Sequence, residues 1–390
     1  MKIDNPTENT SSARMRNVHF EAIQALRAVA ALGVCTMHCV DLKVGLYKQN
    51  EWPFFFKLSN YLNSICGSGV DLFFVLSGFL IYSISMKTTR SERSSAAWQF
   101  AVKRAFRIYP LYWFVLLTMV VTQIGLHFES AAQTIGKITP RTIFLLTDSI
   151  PFPPPGWTLS YEVWFYAGSS LIIFILPKRK ILSGFALWGI IQIILYYLIV
   201  KKIIDCHFYA LRQPQVLDFF LGCLVAFIIK IRRIKNTCLD KFLALGVSFV
   251  VLLTGAIISY AREPSGALGW GERVVYSGIP SALAVYALVG LERQGRLRAP
   301  LGLVHLGDIS YSIYLWHFEI SAVSFWIMLH LKVYAQLPPL ILVILEIITT
   351  IIVSIMTYAL IEKPSQILAR FVLHLQSSRA IEVFPESISR

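Results

Sequence analysis

Ten long apolar blocks dominate this chain and leave it few ways to fold. Each holds roughly 18 to 25 residues, the length a helix needs to cross a hydrocarbon core about 30 Å thick. They fall at 22–42, 69–86, 109–127, 157–176, 181–200, 214–230, 242–260, 274–291, 307–330 and 339–361. In lipid every backbone polar group must be satisfied within the protein, so a spanning segment is a helix or part of a closed barrel. These blocks are continuous and rich in Leu, Ile, Val and Phe, whereas barrel strands alternate. The chain therefore reads as all-α, a polytopic membrane protein with about ten transmembrane helices. Composition agrees: 15% of residues are charged, against about one quarter in soluble domains. The expected division is a disordered cytoplasmic tail over 1–19, a membrane domain over 20–364 and a cytoplasmic C-terminal tail over 365–390. The apolar stretch after Arg27 is short enough to resemble a signal-peptide core. An Arg and a His at its two ends argue instead for a retained span.

The net charge of +14 does not indicate nucleic acid, because the basic residues lie in short segments between apolar blocks. Of the 36 Lys and Arg, 24 fall in the N-terminal tail and the segments 87–108, 177–180, 230–241, 292–306 and 362–390. Eleven fall in the alternate segments, and Arg27 lies within a span. Cytoplasmic segments carry the excess of Lys and Arg, so both termini are expected in the cytoplasm. The six Cys form no CxxC pair and no metal-ligand spacing, and no metal site is expected. Cys66 and Cys206 both fall in outward segments, where a disulfide is one option.

Charged residues inside spans are costly and mark function by default. Arg27 and His38 are eleven positions apart in the first span, three helical turns. They share one face about 16 Å apart along the axis, Arg27 toward the cytoplasm and His38 toward the outside. The bland reading has Arg27 snorkelling and His38 at the interface. In "GSGVDLFFVLSGFLIYS", Asp71 opens the second span near the outer surface, where it is a candidate to orient the His38 ring. Ser77 and Gly78 either permit close helix approach or leave room for a substrate. In "KRAFRIYPLYW", Arg104 and Arg107 share a face, as a positive-inside anchor or as a phosphate site. "PFPPPGWTLSYEVWFY" is a stiff outward loop running into the fourth span. Glu162 is buried there, and Tyr166 and Ser169 continue its stripe. In "LGDISYSIYLWHF", Ser310, Tyr314 and His317 fall on one face, with His317 near mid-membrane. Asp218 and Glu346 are intramembrane acids without a motif. In "IEKP", Pro364 is expected to stop the last helix, with Glu362 pairing a loop Arg.

Taken in order, the Arg27–His38 spacing, "VDLFFVLSGFLI", "RAFRIYPLYW", "GWTLSYEVWFY", "LGDISYSIYLWH" and "IEKP" resemble the acyltransferase-three family of integral membrane acyltransferases. The likeness runs from residue 24 to 364. "IQALRAVAALGV" is most similar to members that O-acetylate bacterial exopolysaccharides, and the short C-terminal tail resembles the stand-alone type without an added soluble transferase domain. The resemblance implies acyl transfer from a cytoplasmic acyl-CoA to a saccharide hydroxyl at the outer face of a bacterial inner membrane. Acetyl-CoA is then a donor substrate, with no permanently bound cofactor. The family's first-helix pair falls on Arg27 and His38, its cytoplasmic arginine motif on Arg104 and Arg107, and its helix-four acid on Glu162. The implied partners are acyl-CoA, a saccharide or polysaccharide acceptor, the bilayer and polysaccharide-assembly proteins, with no nucleic acid.

On this reading Arg27, Arg104 and Arg107 hold the donor's phosphates, and Ser77 and Gly78 leave space for its pantetheine arm. His38 acts as general base on the acceptor hydroxyl. Asp71 or Glu162 holds its imidazole as the acid of a Ser-His-Asp triad does. His317 is a second candidate for the base, and an acetyl-histidine intermediate is a variant. A saccharide transporter or flippase would also need some ten spans with intramembrane charges. It would not need a cation cluster on the inner side.

Overall fold

The computed structural model of the chain describes residues 20–48, 50–86, 93–146, 152–206, 208–231, 238–262, 270–332 and 337–383. The 1–19 tail lies outside the described residues, as do the basic stretch 232–237 and the first proline of the Pro151 run. The described elements are helical, without a strand: α1 (Glu21–Val44), α2 (Pro53–Cys66), α3 (Gly69–Ser85), α4 (Arg93–Gly125), α5 (Gly156–Ile175), α6 (Ile181–Val200), α7 (Leu217–Ile231), α8 (Cys238–Arg262), α9 (Ile279–Arg293), α10 (Leu301–Asp308), α11 (Ser310–Leu331), α12 (Pro339–Thr357) and α13 (Lys363–Val383). Among the described residues nine helical segments are long and apolar enough to cross a membrane, and the 17-residue α3 is a tenth, shorter candidate. The protein is a multi-pass membrane protein.

The ten expected blocks coincide with helices because length and unbroken hydropathy are read directly from sequence. Three local features differ. The segment 43–68, expected as an outward loop, contains α2, started by Pro53 at its first position, where a missing N–H costs nothing. The arginine segment is part of the third spanning helix: α4 runs 33 residues from Arg93 and carries Pro110 inside it. Pro364 does not stop the last helix. A π turn at Tyr358–Glu362 leads directly into α13; its wider winding eases the clash between a proline ring and the carbonyl four residues back. Cys66 and Cys206 are free thiols.

α1 is central, packed by α2, α3, α9, α10, α11 and α12. The closest crossing is between α3 and α7. A Cβ on Gly78 would lie 1.9 Å from the Phe219 carbonyl oxygen, and one on Gly222 would lie 2.0 Å from that of Val75. Small residues allow such backbone contact. Gly78 therefore belongs to this crossing, which corrects its assignment to the donor's path. Gly78→Ala is expected to cost about 3 kcal/mol, the upper end for overpacking, because backbone rather than a flexible side chain stands in the way. A thermal midpoint in detergent matching that of the wild type would contradict this packing. Beside the crossing, Phe74, Phe219, Phe165 and Trp188 form a stacked column with successive centroid distances of 4.6, 4.4 and 5.3 Å.

Buried charges elsewhere find partners. Lys43 and Glu346, both inside the bundle, form an ion pair that also receives the Ser321 hydroxyl. Glu319 accepts from Thr118 at 2.8 Å and Thr122 at 3.3 Å. Exposed Leu187, Ile190, Ile194 and Tyr197 of α6 present an apolar face suited to lipid.

Candidate active site

Two adjoining spaces lie among the helices and share part of their lining. The inner one is a basin with about 1620 Å³ of empty volume, counted out to its open mouth. Its walls hold five cations, Arg27, Lys103, Arg104, Arg107 and Arg370, against one carboxylate, Asp308. Such an excess in a concave surface attracts anions. The second space is a cavity of about 770 Å³, again counted to its opening, between α1, α3, α4, α5 and α11. Arg27, Arg104 and Arg107 line both, so the arginines form the partition between basin and cavity.

The helices give the cavity a direction. On α3 its lining runs from Leu80 through Ser77 and Phe74 to Val70, and on α5 from Tyr166 through Glu162 to Thr158. Ten residues of α3 correspond to a depth of about 15 Å. At the arginine end, Arg104 lies over the Tyr166 ring at 5.2 Å and over Phe100 at 5.3 Å. Among the described residues Arg27 and Arg104 have no carboxylate oxygen within 4.0 Å, whereas Arg107 is paired with Glu362. Glu362 also accepts from Ser312 at 2.7 Å and from Gln366 at 3.3 Å. The Arg107 guanidinium lies 5.5 Å over the Tyr311 ring. Glu362 thus meets an arginine, as expected, but one of the three assigned to the donor. The π turn is what brings it there.

Midway, Glu162 accepts from Ser77 at 3.1 Å and from the Tyr166 hydroxyl. Ser77 lines the cavity and adjacent Gly78 does not. At the far end the Tyr314 hydroxyl meets Thr158 Oγ1 at 2.7 Å, joining α11 to α5.

One turn beyond Tyr314 on α11 is His317, and its ring stacks on His38 with centroids 5.1 Å apart. The structure brings together the two histidines read separately from sequence. His317 Nδ1 lies 2.6 Å from the Tyr314 carbonyl oxygen. A carbonyl only accepts, so Nδ1 carries the proton in the neutral ring and Nε2 keeps its lone pair. The Tyr314 ring lies 5.5 Å from His317 and stands between the cavity and the histidine pair.

Neither acid proposed to orient His38 sits against it. The Asp71 carboxylate is buried and accepts from Arg273 at 2.6 Å, with Asp218 beside the pair. Asp71 thus points to a different neighbour from His38, which corrects its placement. Glu162 belongs to the Ser77–Tyr166 cluster midway along the cavity. The orienting group found in the structure is a backbone carbonyl, and it acts on His317. Sequence reasoning missed Thr158 and Arg273, whose partners are 156 and 202 positions away.

The acyltransferase domain family matches residues 20–359. The exopolysaccharide production protein ExoZ of Rhizobium meliloti (strain 1021) is 29% identical over 274 residues, covering 67% of this chain and 78% of that protein. The peptidoglycan O-acetyltransferase OatA of Listeria monocytogenes is 23% identical over 335 residues, covering 76% of this chain and 50% of that one. A putative O-acetyltransferase of Staphylococcus aureus (strain COL) is 24% identical over 390 residues, covering 91% of this chain and 58% of that one. The chain thus spans little more than half the length of the last two. No solved structure matches. With an arginine-lined cavity and a family match over nearly the whole bundle, the chain belongs to the acyltransferase-three family and is an integral membrane acyltransferase.

Proposed function

We propose that this protein moves an acetyl group from cytoplasmic acetyl-CoA to a saccharide hydroxyl, foremost of an exopolysaccharide, at the outer face of a bacterial inner membrane. The observation that carries this reading is the three arginines shared by basin and cavity. They join a cationic inner basin, fit for the donor's phosphates, to a narrow apolar passage that ends one helical turn from the histidine pair. The Lys and Arg distribution supports an inward basin and cytoplasmic termini. The similarity to an exopolysaccharide production protein supports the acceptor class.

His38 serves as the general base. It takes the proton of the acceptor hydroxyl as that oxygen bonds to the thioester carbonyl carbon. The carbon–sulfur bond then breaks, and the proton passes to the departing CoA thiolate. For the acyl group to reach His38, the Tyr314 side chain turns away from Thr158. His317 supports the His38 ring by stacking, its own orientation set by the Tyr314 carbonyl. Arg27 and Arg104 grip the donor, and Glu362 holds Arg107 beside them.

Membranes containing the protein are expected to pass label from acetyl-CoA to surface polysaccharide. NMR of that polysaccharide should lose specific O-acetyl signals in a deletion and in cells complemented with His38→Ala. Unchanged spectra in the deletion would overturn the acceptor. Glu362→Gln should raise the half-saturating acetyl-CoA concentration about tenfold, the equivalent of ~1.4 kcal/mol, because Arg107 loses its charge-assisted anchor. An unchanged value would remove the Arg107–Glu362 pair from donor binding.

A further inference from the structure

We propose that Phe73 and Phe74 set the length of the acyl group, by closing the far end of the cavity into a blind pocket for a short, uncharged chain. This inference rests on the acyl-transfer reading above and adds the residues that choose the acyl donor. Past the level of Ser77 and Glu162 the α3 lining becomes Phe74, Phe73 and Val70, faced by Leu159 of α5. Phe74 cannot yield easily. It stacks on Phe219 at 4.6 Å and meets Tyr161 at 5.6 Å. Behind Phe219 the column continues through Phe165 to Trp188. Close-packed interiors resist added volume. Phe73 closes the other side, its ring 5.8 Å from Tyr314. It is less buried than Phe74 and is the part of the wall that a substitution can remove with least damage.

The pocket's chemistry also discriminates. A succinyl donor would carry a carboxylate into this end, where an unpaired charge is heavily penalised. The three arginines lie toward the other end of the cavity, on the side of Tyr166 and Leu80. Arg273, at the depth of this end, is already engaged by Asp71 and by the Gly67 carbonyl. A filled apolar pocket distinguishes one methylene by roughly 10–200-fold.

The test is a donor series in membranes: acetyl-, propionyl-, butyryl-, hexanoyl- and succinyl-CoA, with wild type, Phe73→Ala and Phe73→Leu. Wild type should use acetyl at least about tenfold better than butyryl, with hexanoyl and succinyl at background. Phe73→Ala should shrink the acetyl-to-butyryl ratio about tenfold or more, and Phe73→Leu should shift it in the same direction by less. Wild type that uses hexanoyl or succinyl donors as well as acetyl would overturn the proposal, whatever the variants do. So would Phe73→Ala turning over acetyl-CoA with an unaltered ratio. If wild type turned over no acyl-CoA, the acyl-transfer reading itself would fall. Non-reactive thioether analogues of increasing length, read by thermal shift, then rank the pocket independently of turnover. Stabilisation falling beyond the acetyl analogue supports the wall, and equal stabilisation at every length refutes it.

Discussion

His38→Ala is expected to lower acetyl transfer about 10²–10⁴-fold, the usual contribution of a positioned general base, with donor saturation little changed. The expectation follows from position: His38 is on the central helix and stacked on His317, whose ring lies 5.5 Å from that of the cavity-lining Tyr314. The comparison with His317→Ala is decisive. If His317→Ala abolished transfer while His38→Ala stayed near normal, the roles of the two rings would be exchanged. Kinetics separate the two chemical routes. Direct transfer requires both substrates to be bound together, whereas ping-pong kinetics with a trapped acetyl-protein would establish an acetyl-histidine intermediate.

The second large effect concerns stability. Lys43→Met should destabilise the bundle by about 3–5 kcal/mol, because Glu346 is left as an unpaired charge among buried helices. Glu346→Leu alone should cost a similar amount by stranding Lys43. The double variant Lys43→Met/Glu346→Leu should recover most of the loss, since an apolar pair of similar volume often replaces a buried ion pair without penalty. Thermal midpoints of the four forms in detergent measure this directly. A double variant as unstable as the sum of the singles would contradict a paired role. The Ser321 hydroxyl on Glu346 would lose its partner in both carboxylate variants, so some residual loss is expected in the double.

The fold was legible because its main determinant, an apolar run of fixed length, is local. Arg27, Arg104, Arg107 and Ser77 are grouped at the donor through the family resemblance and Glu162 is assigned to His38, whereas the structure sets all five in the lining of one cavity. Rotation about the helix axis and choice of neighbour were not legible. Asp71 was assigned to the His38 ring, yet it turns to Arg273, a residue whose segment read only as an outward loop. Lys43 read as a loop cation because its partner, Glu346, is 303 positions away. Glu362 was expected to pair a loop arginine, and the π turn instead brought it to Arg107 on a spanning helix. Gly78 carried two readings in sequence, and only the carbonyl of Phe219 against it decided between them.

The backbone contact of α3 with α7 has a mechanical consequence. Two helices touching at both Gly78 and Gly222 have no slack between them, and the aromatic column beside them stiffens the same flank. That side of the cavity is a fixed jamb. On the proposed route, a passage from the donor cavity to the histidines is opened from the opposite side, where the Tyr314 hydroxyl, held by Thr158 at 2.7 Å and by the Pro155 carbonyl at 3.5 Å, is the latch. On that route the timing of acyl transfer would be set by one side chain turning against a stiff frame, with no need for the bundle itself to rock.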